Sequence, residues 1–303
     1  MAKSSSRNQT LSFLARRFEE AGIHPRTNLG QNFLIDLNLQ RVLLDAARLG
    51  PDDVILEVGT GTGSLTELMA RHVAAVVTVE LDPQLFQLAA EELRLLENVT
   101  LLELDVLQTK NRLNPAMLEV VGQLLAVDPR RRFKLVANLP YNVATPILTN
   151  LLTVDSPPQT MTVTIQKELA DRITAPPGTK DYGALSIWIQ SQCRAEIIRV
   201  MLPSVFWPRP KVTSAIVHIA VDEQLRGRIS NRDFFHRFVR AMFFHRRKFL
   251  RSELLSAFKG RLTKPVVDGI LVGLRIEGNA RAEQLDVGMM LALCKAIQAE
   301  LGD

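Results

Sequence analysis

The sequence is poor in cysteine and has no long apolar run. Its 303 residues include two cysteines, Cys193 and Cys294, and neither belongs to a CxxC or Cys/His cluster. This spacing argues against a disulfide framework and a zinc site, and since the five histidines are scattered we expect no metal. No stretch approaches the roughly 18 uninterrupted apolar residues of a membrane span, and the N-terminus lacks the apolar region of a secretory signal. We therefore expect a cytoplasmic protein that does not enter a membrane.

The excess of positive charge is confined to one part of the chain. The whole sequence has a net charge of +5, whereas residues 223–303 contain 15 basic and 9 acidic residues. Eleven of these basic residues lie between Arg226 and Arg261. Such asymmetry favours a polyanionic partner, whose phosphates the cations would neutralise. A solvated helix face is the alternative for a charge run alone.

Short apolar runs alternate with helical patterns through the first half of the sequence. The apolar runs cover residues 54–58, 75–79, 99–104, 133–137 and 161–165. This alternation predicts an α/β fold with a doubly wound, mostly parallel sheet. Two further β-rich runs, 195–201 and 215–221, are joined by a proline-rich segment too short for a helical crossover, so we expect an antiparallel pair. Helical patterns follow, which predicts domains at 1–222 and 223–303, the second small and helical.

A glycine-rich turn follows the first of these strands. Gly59, Gly61 and Gly63 occupy alternate positions, and Ser64 begins the next helix. Glycines there let the backbone turn sharply and let a ligand lie against exposed amides, so we interpret Gly59 and Gly61 as part of a nucleotide-type cofactor site. Ser64 stands where a dinucleotide fold would carry its third glycine, so the hydride-transfer fingerprint is not matched. The alternative is a turn that serves only packing.

Two carboxylates close the next two strands. Glu80 ends the second apolar run and Asp105 follows the third. Because the carboxyl ends of parallel strands face one crevice, Glu80 is placed to accept both ribose hydroxyls and Asp105 the amino group of an adenine. Either acid alone could instead be a solvated loop carboxylate. We interpret Asp82 and Glu103 as structural.

The fourth strand ends in Asn138, Leu139, Pro140 and Tyr141. The exocyclic amine of adenine is a poor nucleophile, because its lone pair is delocalised into the ring, so a catalyst must engage its N–H groups. The Asn138 side-chain oxygen and the Leu139 carbonyl, held by Pro140, are neutral acceptors, and Tyr141 offers an aromatic face for the base. A proline turn with a core aromatic is the alternative.

These motifs, in this order, resemble the small-subunit ribosomal RNA adenine dimethyltransferases over roughly residues 26–290. The resemblance rests on Gly30-Gln-Asn-Phe-Leu34, Glu57-Val-Gly-Thr-Gly-Thr-Gly63, Glu80-Leu-Asp82, Asp105, Asn138-Leu-Pro-Tyr-Asn142, Gln166-Lys-Glu168, Tyr182-Gly-Ala-Leu-Ser186, Phe206-Trp-Pro-Arg-Pro-Lys-Val-Thr-Ser214 and Arg246-Arg-Lys248. It implies a Rossmann-like class I methyltransferase fold. It also implies an enzyme that uses S-adenosylmethionine to dimethylate the exocyclic amines of two adjacent adenosines near the 3′ end of small-subunit RNA.

The resemblance also implies roles for individual residues. Asn32 and Leu34 would contact the methionine and sulfonium end of the cofactor, Gly59 would lie under its backbone, and Asn138 would touch both cofactor and target. Phe206 would close the second face of a flipped base, with core packing as the alternative and Trp207 as a substitute.

Four basic residues are the expected RNA contacts, namely Lys211, Arg246, Arg247 and Lys248. The segment 106–134 looks longer than the family usually has, and Ser252 replaces an asparagine often found after the basic run. Both departures concern the docking surface on the ribosome and leave the expected methyl-transfer pocket unchanged.

The resemblance implies a monomer that acts on immature small ribosomal subunits during ribosome biogenesis. Two other functions stay open at this point. Large-subunit RNA adenine methyltransferases of the macrolide-resistance type share the front motifs but usually have a shorter C-terminal domain. A ribosome-assembly or transcription factor could keep the fold without the reaction, although erosion of Asn138, Tyr141 or the glycine turn would then be expected, and these are intact.

Overall fold

A computed structural model describes residues 11–26, 29–245 and 247–302. The strands are β1 Phe33–Leu34, β2 Asp53–Val58, β3 Ala75–Glu80, β4 Val99–Glu103, β5 Leu107–Thr109, β6 Arg112–Leu113, β7 Arg132–Asn138, β8 Thr160–Gln166, β9 Cys193–Met201, β10 Phe206–Trp207 and β11 Ser214–Val221. The helices are α1 Leu11–Glu20, α2 Leu37–Ala47, α3 Ser64–Ala70, α4 Pro83–Leu93, α5 Pro115–Ala126, α6 Ala144–Leu151, α7 Lys167–Thr174, α8 Ala184–Gln190, α9 Glu223–Arg226, α10 Arg232–Met242, α11 Leu250–Ala257, α12 Lys264–Gly273 and α13 Val287–Leu301.

Seven strands form one sheet in the order β4-β3-β2-β7-β8-β11-β9. The pairs β3–β4, β2–β3, β2–β7 and β7–β8 are parallel, and β11 runs antiparallel to β8. The predicted doubly wound, mostly parallel α/β sheet is confirmed. Since the strand order reverses between β2 and β7, the ends of these two strands border the crevice where such sheets bind ligands.

The central strands are buried on both faces, which explains their nearly continuous apolar sequences. Every residue of β2 and β3 is buried. The buried acid Asp53 in β2 is neutralised by Lys134 and Arg132 of β7, at nitrogen–oxygen distances of 2.7 Å and 2.9 Å. A buried charge is tolerated only when paired, so these contacts hold β7 beside β2.

A two-stranded pair that the sequence patterns do not predict joins β1 to β10. The strands are antiparallel, with Phe33 opposite Trp207 and Leu34 opposite Phe206. Each strand has two residues, so hydrophobic periodicity cannot reveal either of them. The pairing brings residues far apart in sequence together near the crevice.

The chain clusters into two compact units. Of the described residues, those up to 170 and 196–220 form the first unit, and those from 171 to 195 and from 221 onward form the second. The boundary predicted at residue 222 lies close to the break at 220, but the segment 171–195 clusters with the helical unit. Its Trp188, 1% exposed, packs against the rings of Phe235 and His236 in α10, with ring centroids 6.3 Å and 4.4 Å away.

No helix within the described ranges is long and apolar enough to cross a membrane.

Candidate active site

A cavity of about 360 Å³ opens in the first unit at the carboxyl ends of β2, β3 and β7. The glycine turn, the acid that ends β3, the acid after β4, the turn after β7 and the segment that includes β1 contribute its walls. Among the residues that line it are Asn32, Leu34, Glu57, Gly59, Gly61, Glu80, Asp105, Asn138, Leu139 and Pro140. Residues from five separate stretches of sequence are therefore brought to one site.

The turn between β2 and α3 has a backbone conformation that only glycine adopts readily. Gly59, Gly61 and Gly63 have φ angles of +84°, +58° and +79°, in the left-handed region. A Cβ atom on Gly61 would lie 3.0 Å from the ring of Phe33, and one on Gly59 would lie 3.4 Å from Pro140. The glycines therefore keep open the floor of the cavity as well as allowing the turn.

Glu80, at the end of β3, holds this turn by hydrogen bonds. Its carboxylate accepts hydrogen bonds from the backbone N–H groups of Gly61 at 2.8 Å and of Leu81 and Asp82 at 3.0 Å each. Burial raises the pKa of Glu80, and these three N–H donors oppose the rise. Two carboxylate oxygens offer about four acceptor positions, of which these N–H groups fill three, so one position remains for a hydroxyl of a ligand in the cavity.

Asp105 is more exposed than Glu80 and lines the cavity from the next strand end. One of its carboxylate oxygens accepts a hydrogen bond from the N–H of Leu107 at 2.9 Å, and its backbone carbonyl accepts one from the Asn114 side chain at 3.1 Å. These bonds fix the loop after β4 and orient the carboxylate.

Glu57 is a buried acid beneath the cavity to which sequence reasoning assigned no role. One of its carboxylate oxygens accepts hydrogen bonds from the hydroxyls of Thr66 at 2.5 Å and Thr78 at 2.7 Å. Burial raises the pKa of Glu57 to about 8, the threonine bonds opposing the rise. The available signal was a single acid inside the otherwise apolar run Val54-Ile-Leu-Glu-Val58.

Asp82 lies outside the cavity lining and supports its rim. Its carboxylate caps α4 by accepting from the N–H of Gln84 at 3.0 Å, and it also accepts from the side chain of Gln31 at 3.1 Å. Arg26 lies 3.4 Å from the same carboxylate. These contacts tie the segment that contains Asn32 to the start of α4.

Asn138 presents an unpaired acceptor beside the cavity. Its side-chain amide nitrogen donates to the backbone carbonyl of Asn32 at 2.7 Å. A carbonyl accepts only from the nitrogen end of an amide, so this bond fixes the orientation of the side chain. The remaining oxygen, Oδ1, is buried and accepts no hydrogen bond among the described residues. A buried acceptor without a partner is costly, and an N–H donor from a bound molecule would satisfy it.

The turn after Asn138 is held on two sides. The N–H of Leu139 donates to the carbonyl of Thr164 at 3.1 Å, and a Cβ atom on Gly30 would lie 3.2 Å from the backbone nitrogen of Tyr141. The Tyr141 hydroxyl lies 2.5 Å from the hydroxyl of Ser214, which is fully buried at the start of β11. Burial raises the pKa of Tyr141, so its hydroxyl stays neutral. Tyr141 itself does not line the described cavity.

Phe206 lies in the hydrophobic core. It is 2% exposed, packs in a cluster with Leu34, Val136 and Ile216, and does not line the cavity. This placement favours the packing alternative over a role in base stacking. Trp207, the substitute considered for that role, is partly buried and its ring centroid lies 5.2 Å from that of Phe18.

None of the expected RNA contacts that the structure describes is among the residues that line the cavity. Lys211 is exposed in the first unit, and Arg247 and Lys248 are exposed between α10 and α11 of the second. Arg246 lies outside the described residues. Over the ranges the structure describes, no three His, Cys, Asp or Glu side chains come together as metal ligands.

The parallel sheet, the glycine turn and the acids that close β3 and β4 define a class I methyltransferase that uses S-adenosylmethionine. The Asn138 oxygen and the glycine-lined floor fit that cofactor, because they provide an acceptor for an N–H donor and room for a ligand against the backbone. The model of the family "Ribosomal RNA adenine dimethylase" matches residues 23–298. The chain belongs to this family, as its motifs predicted.

Named relatives agree with this assignment. The chain is 38% identical over 285 residues to "Ribosomal RNA small subunit methyltransferase A" of Geobacillus kaustophilus (strain HTA426), covering 94% of both chains. It is 35% identical over 285 residues to the protein of that name from Streptococcus gordonii (strain Challis / ATCC 35105 / BCRC 15272 / CH1 / DL1 / V288), covering 93% of this chain and 95% of the relative.

Two solved structures share the fold over most of the chain. A dimethyladenosine transferase from Plasmodium falciparum has a TM-score of 0.72 at 22% identity, covering 88% of this chain and 97% of that one. The 23S rRNA methyltransferase ErmE has a TM-score of 0.59 at 22% identity, covering 88% and 99%. At this identity the likeness concerns the fold alone.

Proposed function

We propose that this protein dimethylates the exocyclic amines of two adjacent adenosines near the 3′ end of small-subunit ribosomal RNA. The observation that carries the proposal is the buried, unpaired Oδ1 of Asn138 beside the cavity. Relatives that match more than nine-tenths of the chain bear a small-subunit methyltransferase name. The immature small subunit is accordingly the substrate we propose, with the protein acting as a monomer in the cytoplasm.

The acids and the glycine turn would hold S-adenosylmethionine. Glu80 would accept from the ribose while its bond to the turn keeps Gly61 in place, and Asp105 would accept from the adenine amino group. Asn32 and Leu34 form the wall on the methionine side. S-adenosylmethionine supplies an electrophilic methyl group on a positive sulfonium.

The turn after β7 prepares the target amine. In the first transfer, Asn138 Oδ1 and the Leu139 carbonyl accept hydrogen bonds from its two N–H groups, which directs the nitrogen lone pair out of the plane of the base. In the second transfer, one of them accepts from the N–H that remains. Each methyl group that is added replaces one N–H hydrogen, which is released as a proton. Tyr141 provides the stacking face for the flipped adenine, and its hydroxyl contact with Ser214 fixes the ring. Both acceptors are neutral, so they place no negative charge against the sulfonium.

The basic second domain holds the RNA. We assign this role to residues 223–303, with Arg246, Arg247 and Lys248 on phosphates and Lys211 contributing from the first domain. The extra charge of this region supports the proposal, since cations that neutralise phosphates release counterions.

The test is mass mapping of methylated adenosines in ribosomal RNA from cells with and without this chain. We expect two adjacent dimethyladenosines in small-subunit RNA that disappear when the chain is removed. A change confined to large-subunit RNA would support the macrolide-resistance type of activity instead. Unchanged methylation, with a defect in subunit assembly, would support the non-catalytic alternative.

A further inference from the structure

The turn between α10 and α11 carries two exposed aromatic rings. Phe244 is 78% exposed and Phe249 is 47% exposed, whereas Phe234, Phe235 and Phe238 of the preceding helix are at most 7% exposed. Single exposed apolar residues are common on protein surfaces, so these rings indicate a binding surface only together with the charged residues beside them. The fold itself does not require these two rings, because the core of the helical unit is supplied by other residues.

Phe244 continues the basic face of α10. Residues three or four apart lie on one side of a helix, and Arg237, Arg240 and Phe244 follow this spacing. The N–H of Phe244 donates to the carbonyl of Ala241 at 3.2 Å, which extends the helical turn beyond Met242. The opposite side of α10 carries the buried residues. The ring therefore lies one turn beyond two exposed arginines.

The buried acid Glu253 holds His245, the residue next to Phe244. Glu253 is 3% exposed, and one of its carboxylate oxygens lies 3.2 Å from Nδ1 of His245. The His245 ring meets Phe244 edge-on, with a centroid distance of 4.7 Å and an interplanar angle of 89°. Phe244 is thus supported on one side and open to solvent on the other.

The cations close to Phe244 in sequence are available to a partner. Arg237, Arg240, Arg247 and Lys248 are exposed, and no ion pair involving their side chains occurs among residues 11–26, 29–245 and 247–302. By contrast, the nearby Arg251 is paired with Asp268. Exposed aromatic rings beside unpaired cations are typical of surfaces that bind single-stranded nucleic acid, where bases stack on aromatics and cations contact the backbone. Phe244 is the more exposed of the two rings and is the one next to the arginines of α10.

We propose that Phe244 is a stacking platform for an unpaired RNA base, with Arg240, Arg247 and Lys248 on the flanking phosphates. The inference rests on the proposed function for the presence of RNA, and it adds the kind of RNA that this surface recognises. A fully paired helix offers no base face to Phe244, so the surface distinguishes loops from continuous duplex. A ribosomal protein is the competing partner for an exposed phenylalanine.

The test compares two RNA probes with the full-length protein. One is a hairpin with an unpaired purine loop that contains 2-aminopurine, and the other is the fully paired duplex of the same stem. Stacking on an aromatic predicts that Phe244→Ala weakens hairpin binding roughly five- to a hundredfold. Duplex affinity and the salt dependence should stay as in the wild type. Phe244→Trp should restore hairpin affinity and quench the fluorescence of the aminopurine.

Two further variants distinguish base stacking from a general apolar contact. Phe244→Leu keeps an apolar side chain without a ring and should resemble Phe244→Ala. Val272→Ala removes an equally exposed apolar residue, 76% exposed on α12, and should bind both probes like the wild type. Wild-type hairpin affinity in Phe244→Leu, or equal losses on hairpin and duplex, would overturn the proposal.

Methylation of purified small subunits by the same variants tests the alternative that Phe244 contacts a ribosomal protein. Slower methylation by Phe244→Ala with unchanged binding of both RNA probes would assign the ring to a ribosomal protein and reject base stacking. If the wild type forms no dimethyladenosine on small subunits, the proposed function fails. The stacking result is read separately, from the hairpin.

Discussion

Replacing Glu80 by alanine should weaken cofactor binding much more than it slows methyl transfer at saturating cofactor. The carboxylate is already held by three backbone N–H groups and faces the cavity, so it is preorganised for a ribose hydroxyl. Hydrogen bonds to a charged group are worth about 1.5–3 kcal/mol each. One such bond is lost, because three of the four acceptor positions are taken by backbone N–H groups. We expect about 2 kcal/mol, roughly thirtyfold in Kd.

Glu80→Gln should not restore affinity. One carboxylate oxygen faces the N–H of Gly61 and the other faces those of Leu81 and Asp82. In either orientation, the NH₂ group of the glutamine would therefore face a backbone N–H, and two donors cannot form a hydrogen bond. The glutamine variant should bind the cofactor nearly as weakly as Glu80→Ala.

Titration calorimetry with S-adenosylmethionine measures this loss, and single-turnover methylation at saturating cofactor measures the chemistry. The matched control is Glu103→Ala, because Glu103 is the register partner of Glu80 on β4 but is exposed and does not line the cavity. This variant should bind like the wild type. Unchanged affinity in Glu80→Ala, or an equal loss in Glu103→Ala, would refute the ribose assignment.

Three other predictions follow from the same structure. Tyr141→Phe and Ser214→Ala should each slow single-turnover methylation roughly two- to tenfold, because each removes the same hydroxyl contact, worth about 0.5–1.5 kcal/mol. The double variant should be no slower than either single one, and additive effects would contradict a shared contact. Glu57→Gln should stabilise the cofactor-free protein more at pH 8 than at pH 5 in urea denaturation. In the folded protein the Glu57 carboxyl has a pKa of about 8, whereas its ordinary value is 4.5. The wild type therefore loses stability as the pH rises from 4.5 to about 8, by up to about 1.4 kcal/mol per pH unit, whereas the glutamine variant does not. A difference between the two proteins that does not vary with pH would exclude this ionisation. Changing Arg247 and Lys248 to alanine should lower the slope of log K against log salt for RNA by about 0.7–0.9 per lost phosphate contact while leaving cofactor affinity unchanged. An unaltered slope would show that the two side chains are solvated and do not contact phosphates.

The sheet and the position of the crevice could be predicted because their signals are local. Each of the first four apolar runs is followed within a few residues by its own signal, which is the glycine turn, an acid or Asn138. Parallel topology then brings the strand ends together without any further information. Thus the sequence alone predicts Gly59, Glu80 and Asn138 at one crevice.

Contacts between distant segments could not be predicted in this way. Ser214 lies far from Tyr141 in sequence, and no pattern indicates that their hydroxyls meet. The β1–β10 pairing likewise depends on tertiary packing, and it places Phe206 against Leu34 in the core. Trp188 lies in an ordinary helical pattern. Its sequence neighbours do not indicate where it packs, because its partner Phe235 lies on the distant helix α10.

Single-turnover methylation of unmodified small subunits by Asn138→Ala tests the central claim most directly, with cofactor affinity measured separately. Removing the acceptor at Oδ1 should slow transfer roughly a hundred- to a thousandfold, the range for a preorganised polar contact made in the transition state. Asn138→Asp keeps an acceptor but adds a charge beside the sulfonium, and should tighten or misplace the cofactor while slowing transfer. If Asn138→Ala forms dimethyladenosine at the wild-type rate, the unpaired oxygen has no part in the reaction and the proposed mechanism is wrong.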